Sequence, residues 1–164
     1  MQEQASDPFS QAGLGLLAAA VRRRLKQVVW ARLAPYHLTP QQFWVLLVLL
    51  DEGPMSLHPL SQRVWMDDPT ASRVVKALVG QGLVLNQADP GHGRRILVSL
   101  APAALPLARE LQALAQEIKG GVAAGLAPEE RSILRQGLLT LINNLDGMLV
   151  DARADDARTA GQAS

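Results

Sequence analysis

The chain has 164 residues, with 16 Lys and Arg, 15 Asp and Glu, three His and no cysteine. This length suits one domain with a sizeable core, and the net charge of +1 supplies no global basic field that would attract nucleic acid. The lack of cysteine excludes disulfides, thiol redox sensing and cysteine-based zinc sites, and it fits a reducing cytoplasm, where we expect the protein to be located.

The first predicted helix runs from about Gln11 to Leu33. Its apolar residues step by three or four and form one continuous stripe: Leu14, Leu17, Val21, Leu25 and Val28. No basic segment precedes this apolar stretch, which argues against a signal peptide. The longest apolar runs, 13–21 and 43–50, are about half of the roughly 20 residues that a membrane span needs, so we expect no membrane partner.

The next two predicted helices are joined to a fourth by short links. The second helix begins at Thr39-Pro40-Gln41-Gln42, a capping-box pattern, and ends at Gly53-Pro54. The third is short and begins with Ser56 as its cap. Only Trp65-Met66-Asp67 separates it from the fourth helix, which is the spacing of a helix-turn-helix.

The fourth predicted helix has two contrasting sides. We expect Asp68 to cap it, Pro69 to take the first helical position and Gly82 to end it. At about 100° per residue, one side collects the apolar residues Ala71, Val74, Val75 and Leu78. The opposite side carries Ser72, Arg73, Lys76 and Gly80. This outer side has two positive charges and no acid, although an ordinary solvated helix face has a similar composition.

A hairpin follows, with predicted strands at 84–88 and 94–100 around a turn at 89–93. Proline and two glycines in Asp-Pro-Gly-His-Gly supply the turn chemistry. Arg94 and Arg95 stand where the chain returns, so they can bind phosphate or enter a narrow minor groove. The alternative is that Arg94 pairs with Asp89 across the hairpin. Residues 53–100 carry five Lys and Arg against three Asp and Glu, which is the most basic part of the chain.

Two long helices complete the chain. One begins at Pro102 and reaches about Ala124, and the other begins at Pro128-Glu129-Glu130 and reaches about residue 150. The last helix carries a heptad-like seam: Leu134, Leu138, Leu141, Leu145 and Met148. Two-fold association through the terminal helices explains this apolar surface and places two reading helices about one DNA turn apart. The alternative is that these helices form the core of a monomer.

These elements predict a mainly α fold with a small β wing. We interpret residues 1–164 as a single domain, in which 39–100 form a winged helix-turn-helix and 11–35 and 102–150 form long N- and C-terminal dimerisation helices. The helix at 69–81 would occupy the major groove of double-stranded DNA, with the wing at 84–100 beside it. The predicted DNA-binding residues are Thr70, Ser72, Arg73, Lys76, Arg94 and Arg95.

This layout resembles the MarR family of bacterial winged-helix transcription regulators over roughly residues 14–149. Three stretches carry the resemblance: Leu-Thr-Pro-Gln-Gln-Phe at 38–43, Pro-Thr-Ala-Ser-Arg-Val-Val at 69–75, and the wing from Asp89-Pro90 through Arg94 to Leu-Val-Ser-Leu at 97–100. The resemblance implies an obligate homodimer that binds short pseudo-palindromic operators as a repressor. The wing departs from the family pattern, because Gly91 stands where a tip arginine is usual and His92 where an acid is common.

The resemblance also implies release from DNA by a small aromatic or anionic effector, bound between the dimerisation helices and the winged-helix unit. Aromatic walls with a few polar groups suit such a ligand. The candidate effector-binding residues are Trp30, Tyr36, His37, Trp44, Arg63 and Trp65. Trp30 and His37 are the preferred pair, since both lie where the first helix meets the second. The alternative is that each tryptophan is a core residue.

Other functional classes have weaker support in the sequence. No Ser/His/acid spacing, phosphate-binding glycine loop or pair of carboxylates in a plausible pocket indicates an enzyme. His37, His58 and His92 are scattered without ligand spacing, so we expect no metal and no cofactor, although some family members bind zinc. The remaining alternatives are a metal-responsive regulator and a helical dimeric interaction or ligand-binding protein with weakened DNA binding.

Overall fold

The computed structural model describes the backbone of residues 11–162, and their side chains except at 92–94 and 153–162. The chain divides into two compact units, Met1–Ile118 and Lys119–Ser164. The elements in chain order are α1 Leu14–Leu33, a 3-10 turn Ala34–Tyr36, α2 Pro40–Glu52, α3 Leu57–Arg63, α4 Asp68–Gly80, β1 Val84–Asp89, β2 His92–Leu100, a 3-10 turn Pro102–Ala104, α5 Leu105–Val122 and α6 Pro128–Gln162. The protein is therefore mainly helical with one two-stranded antiparallel sheet, as the sequence predicts.

The core of the first unit forms around α2, with side chains from α1 and from the elements that follow α2. Its largest fully buried side chains come from six elements: Leu33, Phe43, Leu46, Leu60, Leu78, Val84 and Leu111. The predicted stripe of α1 lies mostly outside this core, because Leu14, Val21 and Val28 are exposed and the buried residues of this helix are Val29 and Leu33. Helical periodicity finds an apolar face, but it does not say what covers that face.

The capping box at the start of α2 is present as predicted. The Thr39 hydroxyl accepts a hydrogen bond from the Gln42 N–H at 3.2 Å, and the Gln42 side chain accepts one from the Thr39 N–H at 2.8 Å. The Gln42 amide also donates to the Gln81 side chain at 3.2 Å, which links the start of α2 to the end of α4. The two bonds between Thr39 and Gln42 satisfy backbone donors that the first turn of a helix leaves unpaired.

The predicted N-terminal caps of α3 and α4 need correction. Ser56 precedes α3 but makes no side-chain capping bond, and its hydroxyl accepts a hydrogen bond from Arg95. The cap of α4 is Asp67, whose carboxylate accepts from the Thr70 N–H at 2.7 Å. Asp68 is the first helical residue and binds side chains of α3. Two adjacent acids offer the same capping chemistry, so the local sequence did not separate them.

The end of α4 is the predicted one. Gly82 has a φ of 71°, and its N–H donates to the Val79 carbonyl at 3.0 Å. The Leu83 N–H donates to the Leu78 carbonyl, also at 3.0 Å. This pair of bonds is the Schellman motif, in which the residue at positive φ is usually glycine.

The hairpin has a tighter turn than the sequence predicts. Strands β1 and β2 pair in the register Val84↔Leu100 to Ala88↔Ile96, and a bulge precedes the Asp89↔His92 pair. The turn is therefore Pro90-Gly91 alone. Met55, between α2 and α3, exchanges two backbone hydrogen bonds with Val98 and so ties the hairpin to the helix-turn-helix.

The second unit contains α6, which ends at Gln162 rather than near residue 150. At its start the Ala127 N–H donates to the Glu130 carboxylate at 2.7 Å, so the glutamate supplies the cap that alanine cannot. Most of the predicted heptad-like seam is exposed: Leu134, Leu138, Leu145 and Met148. Among the described residues, none of the helices is long and apolar enough to span a membrane.

Candidate nucleic-acid interface

The two sides of α4 differ as the sequence predicts. Ala71, Val75 and Leu78 are buried in the core of the first unit. Ser72, Arg73 and Lys76 are exposed on the other side of the helix. The core therefore holds one face of α4 in place and leaves a hydrogen-bonding, positively charged face open to a partner.

Hydrogen bonds at the start of α4 order its exposed side chains. The Arg73 guanidinium donates to the Thr70 hydroxyl at 3.1 Å and lies against the Pro69 carbonyl, so it points back toward the N-terminus of the helix. The Thr70 N–H and then its hydroxyl hold the pKa of the Asp67 carboxyl below its ordinary value of 3.8. Thr70 is half-buried and joins the cap to Arg73.

A cluster of polar side chains joins α3 to α4. Asp68 accepts hydrogen bonds from the Ser61 hydroxyl and from the His58 ring, the latter with Nδ1 3.0 Å from the nearer oxygen. The Ser61 bond first, and the His58 bond second, hold the pKa of Asp68 below its ordinary value of 3.8. The His58 carbonyl lies 2.8 Å from the same hydroxyl, so it is an alternative acceptor for the single Ser61 proton. We call Asp68, Ser61 and His58 the clasp, because they connect the two helices of the helix-turn-helix.

The wing arginines are placed differently by the structure. Arg95 is exposed, and its guanidinium donates to the Ser56 hydroxyl at 2.8 Å, so it lies beside the start of α3. The side chain of Arg94 falls outside the described residues, and so does its predicted pairing with Asp89. One oxygen of Asp89 accepts from the Gly91 N–H at 2.9 Å, which stabilises the turn.

A groove of about 390 Å³ separates α4 from the hairpin. Its polar lining includes Ser72 and Lys76 of the predicted set, together with Asn86, which the sequence interpretation missed. The sequence does indicate this position. Alternate residues of a strand share a face, so Asn86 lies on the same face of β1 as Val84 and Ala88. The apolar lining residues are Leu57, Val75, Val79, Ile96 and Val98.

The candidate effector residues are spread over several places in the first unit. Trp30 is 55% exposed, and Trp44 is 41% exposed with its ring edge-on to Phe43 at 4.8 Å. His37 is exposed at a φ of 54°. Trp65 is 83% exposed in the turn between α3 and α4. All three tryptophans thus keep much of their surface exposed in this chain, which disfavours the alternative that they are core residues.

Arginines near these aromatic residues are paired with acids. Tyr36 packs against the core and lines an open groove of about 440 Å³ with Arg32, Glu110 and Glu117, but neither Trp30 nor His37 lines it. Arg32 forms an ion pair with Glu117. The predicted site residue Arg63 pairs with Glu52 at 3.1 Å. Within the described side chains, no three His, Asp or Glu residues are grouped as metal ligands.

Comparisons with known proteins agree with this geometry. A family model described as MarR family matches residues 36–95. A probable transcriptional regulator from Pseudomonas aeruginosa is 35% identical over 79% of this chain and 97% of that chain, with a TM-score of 0.68. BpsR from Bordetella bronchiseptica, whose DNA binding is regulated by 6-hydroxynicotinic acid, is 26% identical, with a TM-score of 0.72 and coverage of 83% and 97%. A mutant form of MarR from E. coli, solved with operator DNA, is 23% identical and shares the fold, with a TM-score of 0.70 and coverage of 83% and 99%.

The matched residues 36–95 contain α2, α3, α4, β1 and the beginning of β2, which are the elements of the helix-turn-helix and its wing. The structural matches extend over about four-fifths of the chain and nearly all of each relative. The match to the family model, the 35% identity to the Pseudomonas regulator and the shared fold lead to the same conclusion. The chain belongs to the MarR family of winged-helix transcription regulators.

Proposed function

We propose that this protein is a dimeric repressor that reads a pseudo-palindromic operator in double-stranded DNA. The observation that carries the proposal is the exposed face of α4. Ser72, Arg73 and Lys76 are open to a partner, while Ala71 and Leu78 fix the other side of the helix in the core. An α-helix fits the major groove, where arginine pairs with guanine edges and lysine neutralises phosphate. Arg94 and Arg95 extend the contact along the backbone or into the minor groove.

Exposed apolar surface supports the dimer. The described side chains of α6 include a row of exposed large apolar residues: Ile133, Leu134, Leu138, Leu139, Leu145, Met148 and Leu149. Leu14, Val21 and Val28 are exposed on α1 as well. A row of exposed apolar residues along one helix is typical of an association surface, and a seam with heptad-like steps fits a second helix of the same type. A two-fold dimer would present two copies of α4 to successive turns of DNA.

A small aromatic or anionic effector fits the proposed regulation. BpsR, at 26% identity, responds to 6-hydroxynicotinic acid, which is an aromatic acid. Trp30, Tyr36 and His37 near the end of α1, with Trp44 on α2, remain our candidates for the aromatic walls. Arg63 would have to leave Glu52 to bind an anion. Such a ligand releases DNA only to the extent that it binds the free and the DNA-bound arrangements with different affinity.

Selection from a random-sequence duplex pool tests the DNA-binding proposal. We expect the wild-type protein to enrich an inverted repeat whose half-sites are about 10 base pairs apart. Ser72→Glu places a negative charge on the reading face and should abolish retention of the selected duplex. Gln116→Glu adds the same charge on α5, where the side chain is also exposed, and should leave retention unchanged. If no sequence is enriched, the protein is better described as a helical interaction protein with weakened DNA binding.

A further inference from the structure

The turn between α3 and α4 contains an unusual backbone position. The Trp65 N–H donates to the Gln62 carbonyl at 3.3 Å, and the Met66 N–H donates to the Ser61 carbonyl at 2.9 Å. These two bonds repeat the Schellman motif that ends α4. The residue at positive φ is Gly82 in α4, whereas in α3 it is Trp65, with a φ of 54°. A bulky side chain in this conformation strains the backbone, which glycine would not do.

Burial does not compensate this strain. Trp65 is 83% exposed, the highest exposed fraction among the large apolar side chains that the structure describes as exposed. Trp44, in contrast, gains a ring contact with Phe43. Residues held in sparsely populated backbone conformations by the surrounding structure, here by the two bonds that end α3, occur preferentially at functional sites. Trp65 is therefore better explained by a partner outside the chain than by the stability of the fold.

The position of Trp65 indicates which partner it meets. The residue lies two positions before Asp67, the cap of α4, so even an extended chain places their Cα atoms at most about 7 Å apart. When the first residues of a recognition helix reach base edges, the preceding helix crosses the phosphate backbone. The turn between the two helices then lies at the edge of the groove. The clasp, through Asp68 and His58, holds α3 and α4 together at this point.

We propose that Trp65 packs its indole ring against the sugar–phosphate backbone of the operator, beside the major groove that receives α4. The ring face covers deoxyribose, and the indole N–H donates to a phosphate oxygen. This inference rests on the proposed DNA-binding function, and it removes Trp65 from the effector-binding set. A protein partner is disfavoured, because stable interfaces bury roughly 800 Å² per side. Trp65 is flanked by the exposed polar residues Gln62, Arg63 and Asp67 rather than by a larger apolar patch.

Substitution of Trp65 separates a DNA contact from a structural role. Trp65→Gly should raise the Tm, because glycine adopts the positive φ without strain, and should weaken binding of the selected duplex about tenfold. Trp65→Phe should keep the Tm of the wild type and lose only part of the affinity, since the ring remains and the N–H donor is removed. A structural role would move stability and affinity in the same direction. Trp65→Gly protein that binds as tightly as wild type overturns the proposal.

Quenching by acrylamide provides a second measurement. The chain has three tryptophans, so Trp30→Phe combined with Trp44→Phe leaves Trp65 as the sole emitter. We expect strong quenching in free protein and marked protection when the selected duplex is bound, but no protection by a scrambled duplex at a salt concentration that prevents its binding. Duplex binding with unchanged quenching refutes the Trp65 contact and leaves the proposed function standing. Wild-type protein that binds no duplex at all refutes both.

Discussion

Arg73 and Lys76 lie one helical turn apart on the exposed face of α4, yet they should contribute differently to DNA binding. Arg73→Ala should cost about 1–3 kcal/mol of specific binding, because arginine pairs bidentately with a guanine edge. Lys76→Ala should weaken binding to all DNA sequences more evenly, and it should reduce the slope of log K against log salt concentration by about one. Arg109→Ala removes the same charge from an exposed position on α5 and serves as the control. Titration at several salt concentrations measures both effects, and wild-type affinity in both variants would mean that this face does not read DNA.

The clasp makes a prediction about acid stability. The folded chain holds the pKa of Asp68 below 3.8, so this carboxylate stabilises the fold above about pH 4 and its contribution is lost as the pH falls through the lowered pKa. Asp68→Asn should lower the Tm at pH 7 and make the Tm fall less steeply between pH 5 and pH 3. Asp151→Asn, at an exposed position on α6, is the control. Parallel Tm profiles for Asp68→Asn and wild type would refute the role of the clasp.

Residue-level predictions from the sequence succeeded where a side chain has one partner nearby in the chain. They failed where two residues offer the same chemistry or where the partner is distant in sequence. The Thr39 and Gln42 box was predictable, since both groups act within one turn. The missing cap at Ser56 was not predictable. Its hydroxyl bonds with Arg95, 39 residues away, and the local sequence contains no information about that contact. The strain at Trp65 was equally invisible, because positive φ is expected of glycine rather than tryptophan.

At the scale of the element, two glycines near the end of α4 should respond to alanine in opposite ways. Gly80 is the last helical residue, and an alanine Cβ there meets open space, so Gly80→Ala should stabilise the fold by about 0.5–1 kcal/mol. Gly82 also has open space but a φ of 71°, so Gly82→Ala should cost about 1–2 kcal/mol through backbone strain alone. Urea unfolding measures both values, and changes of the same sign would contradict the assigned end of the helix.

The helices were predictable from periodicity and breakers, and the exceptions follow from the same physics. Pro and Gly mark where α2 begins and where α4 ends. The predicted length of α6 was too short, because the prediction ended the helix with the apolar seam. Residues 151–162 lack proline and their only glycine is Gly161, so no residue stops the helix before Gln162. The predicted turn of the hairpin was too long. A bulge at Ala88/Asp89 lets Asp89 pair with His92, so only Pro90 and Gly91 remain in the turn.

At the scale of the whole molecule, the proposed dimer can be tested at a residue that the single chain does not need. Leu138 is 44% exposed on α6, so Leu138→Asp costs little within one chain but buries a charge if the seam packs against a second copy. Light scattering should give about twice 17.6 kDa for the wild type and about one chain mass for the variant. Gln136→Asp, off the seam, should remain a dimer. A wild type that stays monomeric at micromolar concentration contradicts the proposal.

Regulation by an aromatic acid is the last consequence of the proposed function, and the ion pairs of the first unit determine how it should behave. Arg32 and Arg63 are each neutralised by a glutamate, so an anionic effector must compete for a guanidinium or bind through aromatic and hydrogen-bonding groups. Reciprocal linkage requires the selected duplex to weaken effector binding by the same factor as the effector weakens duplex binding, typically about 5–150-fold.

Titration with 6-hydroxynicotinate, salicylate and urate should therefore change tryptophan fluorescence and release the selected duplex over the same concentration range. Trp30→Phe should reduce the fluorescence change, whereas Trp65→Phe should leave effector affinity unaltered because its ring belongs to the DNA contact. If an acid binds free protein and the protein–DNA complex equally, it cannot regulate at any concentration. If none of the three acids alters either signal at millimolar concentration, the effector belongs to another chemical class than the one proposed.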